Sequence, residues 1–175
     1  MKKCFHFLVY DMDKTVVGIA EGKVVRSPGE LITYALGSCV GICLYDRTCS
    51  VAGMVHILLP YKKTAVNQSN PYKFADTGII ALVKDMERCG ANVRRMTAKI
   101  AGGAKMFERS DTFKGEVDET QIGQRNVEAV REVLRELRIP IIADDTGDRL
   151  GRTITFSAET GQLTVKTVRW EWKKL

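Results

Sequence analysis

The feature that most restricts the fold is a series of three short apolar segments in the first third of the chain. They run from Leu31 to Leu36, from Cys39 to Tyr45 and from Ser50 to Leu59, and all are rich in β-branched and aromatic residues. The turn residues Gly37-Ser38 separate the first two segments, and Asp46-Arg47-Thr48 separates the last two. This pattern is typical of strands joined by turns, so it predicts a strand-rich region.

Two helices are predicted farther along the chain. In the first, Asp76 is a candidate N-cap and Gly90 a candidate end. Its predicted apolar face contains Ile79, Ile80, Val83 and Met86. The second helix is marked by apolar residues at helical spacing and cannot continue through Pro140. These apolar residues are Val127, Val130, Leu134 and Leu137.

Two further regions read as strands. Val93 to Ala101 is one, and a C-terminal hairpin follows in which Ile154, Phe156 and Ala158 alternate with polar residues before the turn at Glu159-Thr160-Gly161. Hairpins mixed with helices in this order favour an α+β fold over a strict βαβ series. A length of 175 residues is typical of a single domain with a substantial core.

Composition excludes several functional classes. The formal net charge is +6, but the basic residues form no run of like charges, so we expect no nucleic-acid partner. Five cysteines cannot all be paired within the chain. No apolar stretch approaches the roughly 18 residues needed to cross a bilayer, so we expect no membrane insertion. The sequence predicts a cytoplasmic protein with reduced thiols.

One cysteine–histidine pair is predicted from strand register. If Arg47 and Thr48 form the tip of a tight turn, antiparallel pairing places Cys39 directly opposite His56, on the same face of the sheet. An imidazolium beside a thiol lowers the thiol pKa and can supply a proton to a leaving group. Gly37 and Ser38 leave room for substrate and for backbone N–H donors around an oxyanion. His56 could equally be a core histidine.

Rival sites can also be read from the sequence. Cys39, Cys43, Cys49 and His56 offer four zinc ligands, but strand alternation and a turn would scatter them, so no metal is expected. A second rival is the segment from Asp11 to Thr15, where D-x-D-x-T follows an apolar run as in the nucleophile loop of haloacid-dehalogenase phosphatases. The D-T-G at Asp145 matches aspartic proteases, although three residues recur readily by chance and also fit a polar turn.

A series of short motifs runs through most of the chain. The motifs are L-G-S-C-V at 36–40, H-I-L-L-P at 56–60, K-F-A-D at 73–76, K-I-A-G-G-A-K-M-F at 99–107, I-G-Q-R-N at 122–126 and D-T-G-D-R-L-G-R at 145–152. Together they resemble the CheD family of chemoreceptor glutamine deamidases. Phe74 stands where tyrosine is usual, and Asp148 where glycine is common. The resemblance is co-linear over residues 16–168, leaving an N-terminal extension at 1–15, which contains D-x-D-x-T, and a C-terminal tail at 169–175.

The resemblance implies a chemistry and a set of partners. Cys39 would be the nucleophile, His56 the general base and acid, and Thr33 the residue that orients the histidine. The implied fold is an α+β sandwich similar to that of the cytotoxic-necrotizing-factor deamidase toxins, and no cofactor is implied. The substrates would be methyl-accepting chemoreceptors, and the partner a CheC-type phosphatase of phosphorylated CheY, with Phe107 near its binding surface. The non-enzymatic alternative is an adaptor that regulates this phosphatase.

Overall fold

The computed structural model describes residues 14–64, 69–105, 121–169 and 171–175. Its strands are β1 (Thr15–Val16), β2 (Gly22–Arg26), β3 (Glu30–Leu36), β4 (Val40–Asp46), β5 (Val51–Ile57), β6 (Thr97–Gly102), β7 (Ile141–Thr146), β8 (Arg152–Ser157), β9 (Leu163–Thr167) and β10 (Trp172–Lys174). Its α-helices are α1 (Ala75–Arg88) and α2 (Ile122–Glu136), and short 3-10 helices span Lys62–Thr64, Pro71–Lys73 and Val93–Arg95.

The strands form two five-stranded sheets that pack face to face. The outer sheet has the order β1-β3-β8-β9-β10, and the central sheet has the order β2-β5-β4-β6-β7. Helices α1 and α2 cover the other face of the central sheet. The architecture is the predicted α+β sandwich, in which the central sheet is buried on both faces. None of the helices in the described ranges is long and apolar enough to span a membrane.

Alternation along the central strands decides which core each side chain enters. In β4, Val40, Ile42 and Leu44 pack with the helices, whereas Cys43 and Tyr45 pack against the outer sheet. Successive side chains on a strand point to opposite faces, so the two cores share the same strands. This double burial explains why β4 and β5 read as almost continuous apolar runs.

The predicted register of the β4–β5 hairpin is wrong by two residues. His56 pairs with Gly41, not with Cys39, and Asp46 pairs with Val51 across a four-residue turn. The longer turn is stabilised locally, because the Thr48 backbone N–H donates to Asp46 Oδ1 over 3.0 Å. A shift of two residues preserves the faces of the strands, so the expected common side of Cys39 and His56 is retained.

Both predicted helices are present, and α1 differs from the prediction at its N-terminal end and on its apolar face. Phe74, not Asp76, is the N-cap of α1, and Asp76 lies in its first turn, where it accepts a hydrogen bond from the Lys62 backbone N–H. Ile80 is 41% exposed and so does not belong to the apolar face. Gly90 follows the helix with a φ of +82°, the left-handed conformation typical of a helix end.

The strand predictions also need two adjustments. Val93–Arg95 forms a 3-10 helix, so β6 begins only at Thr97. The C-terminal hairpin is confirmed, and β10 adds an antiparallel edge strand to β9 from residues that the family resemblance assigns to a tail. Thr15, the last residue of the expected N-terminal extension, pairs with Leu31.

Candidate active site

His56 lies on β5, on the side of the central sheet that faces the outer sheet. Its side chain is fully buried, and its backbone N–H donates to the Glu21 carbonyl over 3.0 Å. The imidazole Nδ1 is 2.8 Å from Thr33 Oγ1, a hydrogen bond that joins the two sheets. The other ring nitrogen, Nε2, has no hydrogen-bond partner among the described residues. Nδ1 is therefore held by Thr33, whereas Nε2 is buried without a partner in the described part of the chain.

Thr33 is placed for this contact by an irregularity in β3. The residue is fully buried and pairs with Ile154 of β8. Directly after Thr33 the pairing shifts register before Leu36, and Ala35 has a φ of +57°. A bulge of this kind redirects the strand near a functional side chain.

Cys39 lies in the connection between β3 and β4, immediately before β4 begins. Its side chain is 8% exposed and belongs to the apolar cluster between the sheets, the same layer that contains the Thr33–His56 hydrogen bond. Because the unbonded His56 Nε2 has no partner in the described part of the chain, the thiol and the ring are not hydrogen-bonded in this structure.

The glycine-rich motif forms the support beneath Cys39. The Gly103 backbone N–H donates to the Cys39 carbonyl over 2.7 Å, and the Ala104 N–H donates to the Gly37 carbonyl over 2.8 Å. Gly102 has a φ of +110°, and a Cβ there would lie 2.3 Å from the Cys39 carbonyl oxygen. Only glycine permits this close approach. The motif therefore shapes the backbone of the connection from Gly37 to Cys39, which we call the cysteine loop.

Burial controls the protonation of both candidate reactive groups. It raises the pKa of the Cys39 thiol, and the hydrogen bond from the Cys39 backbone N–H offsets only part of that effect. Burial lowers the pKa of His56 to about 4. Both groups are consequently neutral near pH 7. The expectation that an imidazolium lowers the thiol pKa does not hold for this resting state, because desolvation opposes both charges.

Gly41 and Asn126 contribute to the site but were not identified as site residues from the sequence. Gly41 lies directly opposite His56, and a Cβ there would lie 2.7 Å from Ile154 Cδ1 of the outer sheet. Asn126 is fully buried on α2, and its Nδ2 donates to the carbonyls of Ser38 and Leu58 over 2.9 and 3.0 Å. The available signal for Asn126 was its position in the I-G-Q-R-N motif.

The D-T-G motif has a structural role in this fold. Asp145 Oδ2 pairs with Arg152 Nε at 3.0 Å, and its Oδ1 pairs with Lys173 Nζ at 2.8 Å. Burial alone would raise the pKa of Asp145, but hydrogen bonds from Lys173 and Arg152 outweigh it and lower the pKa. Next to it, the Gly147 N–H donates to the Gly102 carbonyl. The motif thus supports the glycine-rich strand end below Cys39.

The structure describes the four candidate zinc ligands but not the two aspartates of the D-x-D-x-T segment. Among the described residues, no group of three histidine, cysteine or acidic side chains is arranged to hold a metal ion. Cys43 is fully buried, and burial raises its pKa. A cavity of about 640 Å³ opens at the opposite end of β4, lined by Arg47 among others, and contains neither Cys39 nor His56. Asp11 and Phe107 lie outside the described residues.

Comparison with known proteins settles the family. The family described as "CheD chemotactic sensory transduction" matches residues 58–167, and a curated relative from Caldanaerobacter subterraneus is 53% identical over 152 residues, covering 87% of this chain and 91% of its own. The chain belongs to the CheD family. A second CheD relative, from Syntrophomonas wolfei, is 49% identical and covers 87% of this chain and 92% of its own. Both are named "Probable chemoreceptor glutamine deamidase CheD".

A structural comparison yields a more distant likeness. The solved structure of the hypothetical protein YfiH from Bacillus licheniformis is 16% identical to this CheD chain, with a TM-score of 0.42. It covers 73% of this chain and 51% of its own. This likeness is too slight to support any inference about the site.

The depressed pKa of His56 predicts a specific acid sensitivity of folding. As the pH falls from 6.5 to about 4, His56 binds a proton more readily in the unfolded state than in the folded state. The contribution of neutral His56 to the free energy of unfolding is therefore fully present above pH 6.5 and is lost as the pH falls from 6.5 to about 4. Relative to His56→Asn, the wild-type protein should lose about 3 kcal/mol of unfolding free energy between neutral pH and pH 4, measured by urea denaturation. Parallel pH profiles for the two proteins would contradict this burial effect.

Proposed function

We propose that this protein deamidates glutamine side chains of chemoreceptors in the cytoplasm, with Cys39 as nucleophile, His56 as base and acid, and Thr33 as the residue that orients His56. The observation that carries the proposal is the buried Thr33–His56 hydrogen bond of 2.8 Å, which leaves Nε2 unpartnered in the described structure, in the layer that contains Cys39. The names of relatives about half identical to this chain support the same activity.

The first half of the reaction forms a thioester. The base role requires the His56 tautomer in which Nδ1–H donates to Thr33 Oγ1 and Nε2 has a free lone pair. Nε2 takes the thiol proton as Cys39 Sγ attacks the carboxamide carbon of the receptor glutamine. The resulting imidazolium then protonates the amide nitrogen, the C–N bond breaks, and ammonia leaves.

The second half restores the enzyme. Neutral His56 takes a proton from water while the water oxygen attacks the thioester carbon. The tetrahedral intermediate collapses with cleavage of the C–S bond, and the imidazolium returns a proton to Cys39. The product is glutamate, which ionises in water and adds a negative charge to the receptor. These steps require only this chain's side chains and water.

The neutral resting pair affects how the first step proceeds. With the thiol pKa raised and the His56 pKa at about 4, a preformed thiolate–imidazolium pair is disfavoured. Proton transfer should therefore accompany the attack on the glutamine carbon, when developing negative charge on the substrate compensates the imidazolium. Entry of a polar carboxamide into the layer would also reduce the desolvation that disfavours these charges.

The activity can be tested directly. The purified protein is incubated with the cytoplasmic fragment of a chemoreceptor, ammonia is measured, and peptide mass spectrometry identifies each glutamine converted to glutamate. We expect ammonia and new glutamate in equal amounts. Receptor binding without either product would favour the adaptor alternative. Association with a CheC-type phosphatase stays a prediction of the family resemblance, to be measured separately by binding.

Substitution of Thr33 tests the orienting hydroxyl. Thr33→Val retains the shape of this buried side chain and leaves His56 Nδ1 without its partner. We expect kcat to fall by about tenfold to a hundredfold with KM nearly unchanged, because orientation matters most as charge develops on the ring. Thr33→Ser retains the hydroxyl and is the matched control. A large rise in KM with normal kcat would instead make Thr33 a substrate-binding residue.

A further inference from the structure

A single amide group joins the two chain segments that carry the proposed catalytic pair. Asn126 Nδ2 donates to the Ser38 carbonyl, one residue before Cys39, and to the Leu58 carbonyl, two residues after His56. Both partners are carbonyl oxygens, so the nitrogen rather than the oxygen of the amide must face them. Both hydrogens of the amide nitrogen are thus used, one on each segment.

The position of Asn126 is itself closely constrained. A Cβ at Gly123, one turn earlier on α2, would lie 2.7 Å from the carbonyl oxygens of both Gly103 and Ala104. The backbone N–H groups of these same residues donate to the carbonyls of Cys39 and Gly37. The start of α2, the glycine-rich segment and the cysteine loop therefore form one packed unit, and Asn126 adds a side-chain hydrogen bond between α2 and this loop.

The place of the two Asn126 hydrogen bonds, beyond the end of a strand ladder, matters for catalysis. The pair Val40–Ile57 is the last pair at the open end of the β4–β5 ladder, so neither Ser38 nor Leu58 belongs to its paired residues. The Asn126 amide supplies a connection between the segments beyond the end of the ladder. Attack by Cys39 with proton transfer to His56 depends on a small and constant separation, and misplacement by about 1 Å can cost a hundredfold in rate.

We propose that Asn126 is a positioning residue that sets the separation of Cys39 and His56 by bonding the segment before the nucleophile to the segment after the base. This inference rests on the proposed function for its catalytic meaning. A purely structural role is the alternative, since two part-buried carbonyls without donors would cost stability in either case. Stability alone consequently cannot distinguish the two roles.

The experiment combines turnover with the chemical reactivity of Cys39. Asn126→Asp retains the side-chain shape and replaces the donor with an oxygen, while Asn126→Ala removes both groups. Val130→Ala is the control, because Val130 is fully buried one turn along the same helix and its hydrocarbon side chain cannot donate to either carbonyl. Iodoacetamide labelling of Cys39 is followed over a range of pH by peptide mass spectrometry, with the partly buried Cys49 and Cys89 as internal standards.

We expect both Asn126 variants to lose at least about tenfold in kcat with KM within about twofold. The labelling rate or pH midpoint of Cys39 should also change, while Cys49 and Cys89 react as in the wild type. Val130→Ala should lose stability but retain kcat and the Cys39 labelling profile. Kinetics and labelling of the Asn126 variants that match Val130→Ala, or a failure of both Asn126 variants to fold, would assign Asn126 to structure alone. Absence of deamidation in the wild type would overturn the proposed function, and the labelling profile would still decide whether Asn126 positions Cys39.

Discussion

Replacement of Cys39 by alanine is expected to abolish ammonia release from receptor fragments while the protein remains folded. The thiol is the proposed nucleophile, and a methyl group cannot form the thioester. Cys39 is 8% exposed in the inter-sheet cluster, and the loss of one sulfur atom there should cost only about 1 kcal/mol of stability. Turnover is measured by ammonia release, and folding by circular dichroism and thermal denaturation.

Cys43→Ala is the matched control for this experiment. Cys43 belongs to the same cluster and is fully buried, so its truncation should destabilise the protein at least as much. It should nevertheless retain turnover near the wild-type level, since within the described structure no hydrogen bond joins its side chain to Thr33 or His56. Substantial ammonia release by a pure Cys39→Ala preparation would remove Cys39 as the nucleophile.

Replacement of His56 by asparagine is expected to lower kcat by about 10²- to 10⁴-fold. His56 is proposed to act as base toward the thiol and water and as acid toward the departing ammonia. Each of these roles typically contributes a factor of this size to the rate. Met54→Leu is a suitable control, because Met54 lies two residues earlier on the same side of β5 and the substitution nearly conserves volume. It should leave kcat close to normal. Comparable losses in the two variants would indicate that disturbed packing, not lost proton transfer, explains the His56 effect.

The pH profile of the wild-type protein provides a second test of His56. Since kcat/KM reports ionisation of the free enzyme and burial lowers the pKa of His56 to about 4, its acid limb should lie near pH 4 rather than near 6.5. Activity recovered after return to neutral pH separates protonation from irreversible unfolding. An acid limb near 6.5 would show that His56 is more solvated in the working enzyme than its burial here implies.

Local patterns were sufficient for the central strands β4 and β5 and for the two helices, but not for the register of the β4–β5 hairpin. Strands β4 and β5 were predictable because apolar, β-branched residues fill a sheet buried on both faces. Their pairing was not, because the turn contains two more residues than expected and is stabilised by the Asp46 side chain. Ile80 was misassigned for a related reason, since helical periodicity identifies an apolar face but not how far a neighbouring layer covers it.

The sequence by itself determined the α+β class, the membership of the CheD family and the choice of Cys39 and His56 as the residues to examine, because residue types and motifs are local properties of the chain. Tertiary structure decided the Thr33–His56 bond between the sheets, the neutral state of the pair and the attachment of Asn126 to Ser38 and Leu58. These features join residues 23 to 88 positions apart or arise from burial. Packing alone brings such residues together, and desolvation sets the pKa of a group only after its surroundings have assembled.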